Sequence, residues 1–268
     1  MNKWLKIVVW FFFVSGVFVL LYFSSDTLNK RTILEPEVVV HVDGENIFIT
    51  EKELLSRLKR ERLLFEGQKR GELDIEKIEA FINSISQVKS SRVFLRVDGS
   101  WKIDVVLRQP IARIFNTFNE SFYLDSEGNT MHTTPSHTAR ILVVTGNIPD
   151  RKESISATKI INNDSLISIR KLDDIYRISD YVCKDPLFHS LIGQIHLEKS
   201  GDFILVTLVG DQKIVFGSAY SKKEVEEKFE KLRLFYEEAL PYEGWNTYSE
   251  ISLKFEDQIV CKKKKIDE

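Results

Sequence analysis

From Trp4 to Phe23 the chain is almost wholly apolar, interrupted only by Lys6, Ser15 and Gly16, and from Ile7 to Phe23 it carries no charge. No other feature limits the fold as strongly. A backbone in hydrocarbon must satisfy its own hydrogen bonds, so such a run is a helix. At about 1.5 Å per residue it spans roughly 30 Å, the thickness of a bilayer core. A cleaved leader is the competing reading. It needs a short apolar region followed by a small-residue cleavage site. This run is long, has no such site, and is heavy with Trp10, Phe11, Phe12, Phe13 and Phe18. An uncleaved anchor is therefore expected. Lys3 and Lys6 precede it and Asp26 follows, with Lys30 and Arg31 farther on. That flank asymmetry keeps the N-terminus in the cytoplasm. Residues 1–6 are then cytoplasmic, 7–23 transmembrane and 24–36 a polar tether, and the remainder folds outside as a type II ectodomain. N-terminal sequencing of the mature protein is expected to return the unprocessed start. A new N-terminus between Ser24 and Lys30 would overturn this.

The rest of the 268 residues is long enough for one large or two modest cores. With 38 basic and 40 acidic residues the net charge is -2, and no basic stripe stands out, which argues against a nucleic-acid partner. Two cysteines, Cys183 and Cys261, exclude a disulfide-dense scaffold. Two separate thiols are favoured over a bridge, although the pairing stays open.

Residues 37–109 read as a first unit. Val38, Val39, Val40 and Val42 form a strand, punctuated by Asp43-Gly44. Thr50-Glu51-Lys52-Glu53 is a capping box opening a helix with Leu54, Leu55 and Leu58 on its apolar face. Asp74 caps a second helix, where Ile75, Ile78, Phe81, Ile82 and Ile85 recur at helical spacing. Two alternating strands follow, with Val93, Leu95 and Val97 on one face, then Ile103, Val105 and Leu107. Asp98-Gly99 joins them as a hairpin. This β-α-α-β-β order is that of a POTRA domain, a small partner-recruiting module, although the order alone does not specify a function.

Residues 110–263 read as a second, mixed β unit with packed helices, making the chain α+β; residues 264–268 are a tail. Strands are expected at Ile111–Phe115, Phe122–Leu124, Ile141–Thr145, Gly193–Leu197, Phe203–Leu208 and Lys213–Phe216, and near Tyr248–Phe255 and Gln258–Cys261. Arg151 to Lys159 reads as a loop, and a helix is expected near Ile167–Val182. The clearest helix starts at the capping box Ser221-Lys222-Lys223-Glu224. Its stripe is Val225, Phe229, Leu232, Tyr236 and Ala239, and Pro241 should end it.

Candidate chemistry is sparse. His132 and His137 lie in a loop-like stretch with no third ligand in view, so no metal is expected. No G-x-S-x-G elbow frames a nucleophile. Trp101, Tyr242 and Trp245 have faces that suit sugar stacking, but large aromatics are mostly packed. Neither a cofactor nor a small-molecule substrate is expected. Lys262 to Lys265 reads as a solvated stretch that discourages edge-to-edge strand pairing, with anionic lipid or an acidic partner as the other options.

Several segments together resemble the bacterial cell-division family FtsQ (DivIB). Arg108-Gln109-Pro110-Ile111-Ala112 is similar to its R-E-P-x-A junction, and Tyr123-Leu124-Asp125-Ser126-Glu127-Gly128 to its Y-L-D-x-x-G turn. Ile192-Gly193-Gln194-Ile195 and Gly210 through Gly217 resemble its I-x-Q-I and G-x-x-x-I-x-F-G segments. Glu227 through Leu232, Tyr248 through Phe255, and Gln258 through Cys261 resemble the helix and closing strands that follow. Gln109 departs from the usual acidic residue, and a Pro-Arg pair seen before Gly210 in many relatives is missing. The resemblance implies a non-enzymatic divisome scaffold of the inner membrane, with a periplasmic ectodomain at the septum. It also implies FtsB- and FtsL-like partners and, through them, a link to the septal synthase FtsW/FtsI. The alternative is a POTRA-containing envelope adaptor for secretion or membrane-protein assembly, although no barrel strands follow.

The closing strands are expected to present an open sheet edge to which a partner adds a strand. The site residues are Tyr248, Glu250, Ser252, Lys254, Phe255, Gln258 and Val260. Phe255 is where the family resemblance implies an interface aromatic. Alternation of Ile251, Leu253 and Phe255 would instead put it in the core, unless a bend at Glu256-Asp257 turns it out.

Overall fold

The structure, a computed structural model, describes residues 3–44, 46–96, 98–135, 137–152 and 170–264. The expected loop from Arg151 to Lys159 lies mostly outside them, as do Val97 and Lys265. Two compact units emerge, Met1–Asp43 with Ile47–Leu107, and Gly44–Asn46 with Arg108–Glu268.

The first unit begins with α1 (Lys3–Asn29), whose stretch Ile7–Asn29 is long and apolar enough to cross a membrane. Residues 24–29, expected as tether, continue the helix instead. The Asp26–Lys30 pair at 2.6 Å, one turn apart, supports its end. After it come β1 (Glu37–His41), α2 (Glu51–Arg60), α3 (Ile75–Ser84), β2 (Val88–Leu95) and β3 (Trp101–Leu107). The sheet order is β1-β3-β2, with β1 parallel and β2 antiparallel to β3. Leu54, Leu58, Ile78 and Ile82 on the helices and Trp101, Ile103, Val105 and Leu107 on β3 are buried. Thr50 Oγ1 accepts from the Glu53 amide at 3.3 Å. The reciprocal half of the expected box is missing, because the Glu53 carboxylate pairs with Arg57 instead. Asp74 Oδ1 caps α3 by accepting from the Lys77 amide at 3.0 Å. Between β2 and β3, Gly99 takes φ +90° and Asp98 Oδ1 accepts from the Ser100 amide and hydroxyl. Those bonds hold the Asp98 carboxyl below its ordinary pKa.

The second unit holds β4 (Pro110–Phe115), β5 (Ser121–Asp125), β6 (Thr130–His132), β7 (Leu142–Gly146), α4 (Leu172–Lys184), α5 (Pro186–Leu191), β8 (Ile192–Leu197), β9 (Phe203–Thr207), β10 (Lys213–Gly217), α6 (Lys222–Leu234), α7 (Leu240–Glu243), β11 (Tyr248–Ser252) and β12 (Val260–Lys263). The strands form one sheet ordered β12-β11-β10-β9-β8-β7-β4-β5-β6. β4–β7, β7–β8 and β10–β11 are parallel pairs, and the remaining neighbours are antiparallel. The last parallel pair is joined through α6, because parallel neighbours need a crossover. Buried residues from α4, α5 and α6, including Ile175, Ile178, Phe188, Phe229 and Leu232, form one core with Ile195, Leu205, Ile214 and Ile251 of the strands.

Three elements differ from the sequence expectation. β6 is an added strand, only three residues long. In α5, Pro186 starts a helix whose cap is Asp185, accepting from the Leu187 and Phe188 amides. Nor does Pro241 stop the helical run that follows α6. It is tolerated in the first turn of α7, and the run ends at Gly244, φ +93°. Between α6 and α7 a π-type turn spans Phe235–Ala239. The stripe Val225, Phe229, Leu232 and Tyr236 is buried as expected, but Leu240 takes the next core position and Ala239 is only half-buried. Ser221 Oγ accepts from the Glu224 amide at 3.1 Å, while the Glu224 carboxylate reaches the Tyr220 amide, one residue earlier than a capping box would have it.

Two motifs distant in sequence close on each other. Arg108 donates to Asp125 at 2.8 Å, and the buried Asp125 Oδ1 also accepts from the Glu127 and Asn129 amides. The charge of the R-Q-P junction thus neutralises the carboxylate of the Y-L-D turn.

Candidate partner-binding surface

β12 is an end strand of the nine-stranded sheet, and among the described residues it has a neighbour on one side only, β11. Its other side offers main-chain N–H and C=O groups to water or to an added strand. Val260 is 44% exposed and Lys262 and Lys263 are exposed, while Cys261 turns partly toward the core. Burial raises the Cys261 thiol pKa, and Cys183 and Cys261 are both free thiols.

The seven expected residues divide into three groups. Tyr248, Glu250 and Ser252 lie in β11, which is covered by β10 on one side and β12 on the other, so their main chain is not open. The Tyr248 hydroxyl donates to Glu243 at 3.2 Å, and Glu250 sits in register between Lys213 and Lys262. Lys254, Phe255 and Gln258 lie in the connection between β11 and β12, and Val260 alone is on the open strand.

Phe255 is 49% exposed, whereas Ile251 and Leu253 are both fully buried. The alternating row breaks because β11 ends at Ser252 and the chain bends over residues 255–257. The bend is tied down from a different element: Lys231 of α6 donates through Nζ to the carbonyls of Phe255 at 2.9 Å and Glu256 at 2.8 Å. On its other side Lys254 Nζ pairs with Asp202 at 2.8 Å, which raises the Lys254 pKa. The Lys254 stem crosses Gly217, where a Cβ would come within 3.0 Å of Lys254 Cγ and φ is +77°. That is a physical use for the final glycine of the G-x-x-x-I-x-F-G segment. The sequence carries no signal for Lys231, whose contacts join residues 24 and 25 apart. Lys262 and Lys263, part of the lysine run expected to discourage edge-to-edge pairing, lie within the edge strand itself.

Behind this surface, the buried Gln212 accepts from the Tyr236 hydroxyl and donates to the Trp245 carbonyl at 2.7 Å. Burial pushes the Tyr236 pKa upward. Of the aromatics considered for sugar stacking, Trp101 is buried and donates to the Leu34 carbonyl at 2.7 Å, while Tyr242 and Trp245 are exposed. His132 ends β6, and no cluster of metal-ligating residues occurs among the described residues. A groove of about 740 Å³, lined by Tyr176, Arg177, Tyr181, Tyr220 and Val225 among others, shares no residue with the β12 surface.

The sequence model of the family described as FtsQ/DivIB, C-terminal related, matches residues 109–262. No curated protein matches the chain. The match covers more than half of the sequence and takes in both closing strands, the Gly210–Gly217 segment and the Tyr123–Gly128 turn. The chain belongs to the FtsQ/DivIB C-terminal related family of cell-division proteins.

Proposed function

We propose that this cell-division protein is a non-enzymatic scaffold of the inner membrane, held by α1 with its N-terminus in the cytoplasm and its two folded units in the periplasm. The first unit acts as a POTRA domain. The second recruits FtsB- and FtsL-like single-pass partners at the septum by accepting a strand on β12, and through them connects to the septal synthase FtsW/FtsI. The observation that carries this reading is an open edge strand beside an exposed aromatic, Phe255, whose backbone is fixed by Lys231. Main-chain bonds along such an edge supply affinity, and a neighbouring anchor side chain supplies selectivity.

Two substitutions test it. Phe255→Ala is expected to weaken partner binding by about 2 kcal/mol, roughly thirtyfold, with an unchanged melting temperature. Ile251→Ala, two positions before the end of the buried row, should instead cost about 2–4 kcal/mol of stability. Partners are identified by crosslinking and pull-down of the intact membrane protein. Recovery of small single-pass coiled-coil proteins is expected. Recovery of secretion or barrel-assembly components, or normal binding by Phe255→Ala, would overturn the assignment.

A further inference from the structure

α1 runs six residues beyond Phe23, where the apolar run stops. At about 1.5 Å per residue this is roughly 9 Å, about the depth of a headgroup layer. Past that point the chain does not swing free. The Arg70 amide donates to the Arg31 carbonyl at 2.9 Å, and the Ile33 amide donates to the Gln68 carbonyl at 3.0 Å. Thr32 bridges to Lys69 between them. A Cβ on Gly71 would lie 3.3 Å from Asn29 Cβ, so the helix end itself touches this loop. Lys59 pairs with Glu35 at 2.6 Å. The loop that ends at Arg70 is thereby held beside the C-terminal end of α1.

The composition of that segment suits such a place. Phe65 and Leu34 are exposed, 48% and 73%, and flank a groove of about 430 Å³. Arg31, Arg60, Arg62 and Lys69 are exposed and form no ion pair among the described residues. Among the described residues Glu61, Glu66 and Glu72 oppose them as exposed acids without an ion pair nearby, and the Glu72 carboxylate accepts from the Lys69 amide at 2.9 Å. Exposed apolar side chains on a loop that also carries exposed cations suit the headgroup region, where Phe and Leu insert at the boundary and cations meet phosphates.

We propose that the segment from Glu61 to Arg70 is a second membrane contact of this protein. Phe65 and Leu34 enter the headgroup layer of the bilayer that α1 crosses, and Arg31, Arg62 and Lys69 pair with anionic lipid phosphates. The first unit is then held against the membrane at two places rather than tethered at one. This inference rests on the reading of α1 as a membrane anchor.

The test uses the full chain in vesicles of equal parts phosphatidylcholine and phosphatidylglycerol. A Phe65→Trp variant is compared with the parent, using lipids that carry a nitroxide quencher at the headgroup. The emission added by the new tryptophan should fall by about half, and less in phosphatidylcholine alone, since the cations would lose their partners. Adding Arg31→Ser and Lys69→Ser should reduce the quenching to the phosphatidylcholine level. Ile47→Trp, an exposed position beyond the opposite end of β1, should stay bright. If acyl-chain quenchers dim Trp4 and Trp10 but headgroup quenchers spare the tryptophan at 65, or dim that at 47 equally, the second contact is wrong and the anchor stands. If Trp4 and Trp10 are not dimmed, both readings fail.

Discussion

Replacing Arg177 with alanine is expected to cost the folded chain about 3–5 kcal/mol, the usual effect of removing one partner of a buried ion pair. Arg177 donates to Asp173 at 2.9 Å and to Asp174 at 2.8 Å, both a turn earlier on α4, and to the Ala219 carbonyl at 2.7 Å. Both carboxylates are buried. Lys171, 3.1 Å from Asp174, would remain as a cation on that carboxylate, but Asp173 would keep no cation within ion-pair distance among the described residues. Even with Arg177 present, the Asp174 carboxyl is pushed up to about 6, chiefly by burial and then by the charge of Asp173, against the pull of Lys171 and Arg177. Burial likewise raises the pKa of Asp150. A carboxyl raised in the folded state takes up its proton before the unfolded chain does. Its stabilising contribution is fully present below the unfolded pKa and is lost as pH rises through about 6. The deficit of Arg177→Ala should therefore be greatest above pH 7 and shrink on acidification through about 6. Urea unfolding of the chain without α1 across this range measures it. A deficit independent of pH would mean that the carboxylates are relieved by water rather than by Arg177.

The second large effect is expected at Phe229. Its ring is fully buried, stacked on Tyr181 at 4.4 Å with an interplanar angle of 3°, and within 4.8 Å of the Phe188 ring and 5.1 Å of the Phe216 ring. These four rings come from α4, α5, β10 and α6, so truncation opens a cavity that no single element can collapse to fill. Phe229→Ala should cost about 3–5 kcal/mol without altering contacts of the β12 edge. Thermal unfolding of the same soluble chain is the check. An unchanged midpoint would mean that the aromatic cluster does not hold α6 to the sheet.

The features that were legible in the sequence are those set by neighbours along the chain. Thr50, Asp74 and Ser221 each cap the helix expected of them, because a cap joins residues three apart. The stripe of α6 and the alternation of β3 were legible for the same reason. The end of β11 was not. Ile251, Leu253 and Phe255 keep perfect alternation, and what breaks the row is Lys231, a side chain arriving from another element to hold two carbonyls. Periodicity also identifies strands without ordering them. That β11 lies beside β10 in parallel, leaving β12 rather than β11 at that end of the sheet, follows from the crossover through α6. The expected site residues accordingly spread over both closing strands, although the open main chain belongs to the second.

Strand β12 has a further consequence, one of time rather than of surface. It is the last of the nine strands in chain order, and it docks on β11 alone. β11 must itself first reach β10 across the long connection through α6, and distant closures of this kind come late in folding. Whenever β12 is undocked, β11 presents an open edge on which the terminal strand of another copy would find the same main-chain partners as the chain's own. The connection over residues 253–259 is the hinge of such an exchange. Lys231, by fixing the bend at Phe255 and Glu256, favours return of the chain's own strand over a swapped dimer.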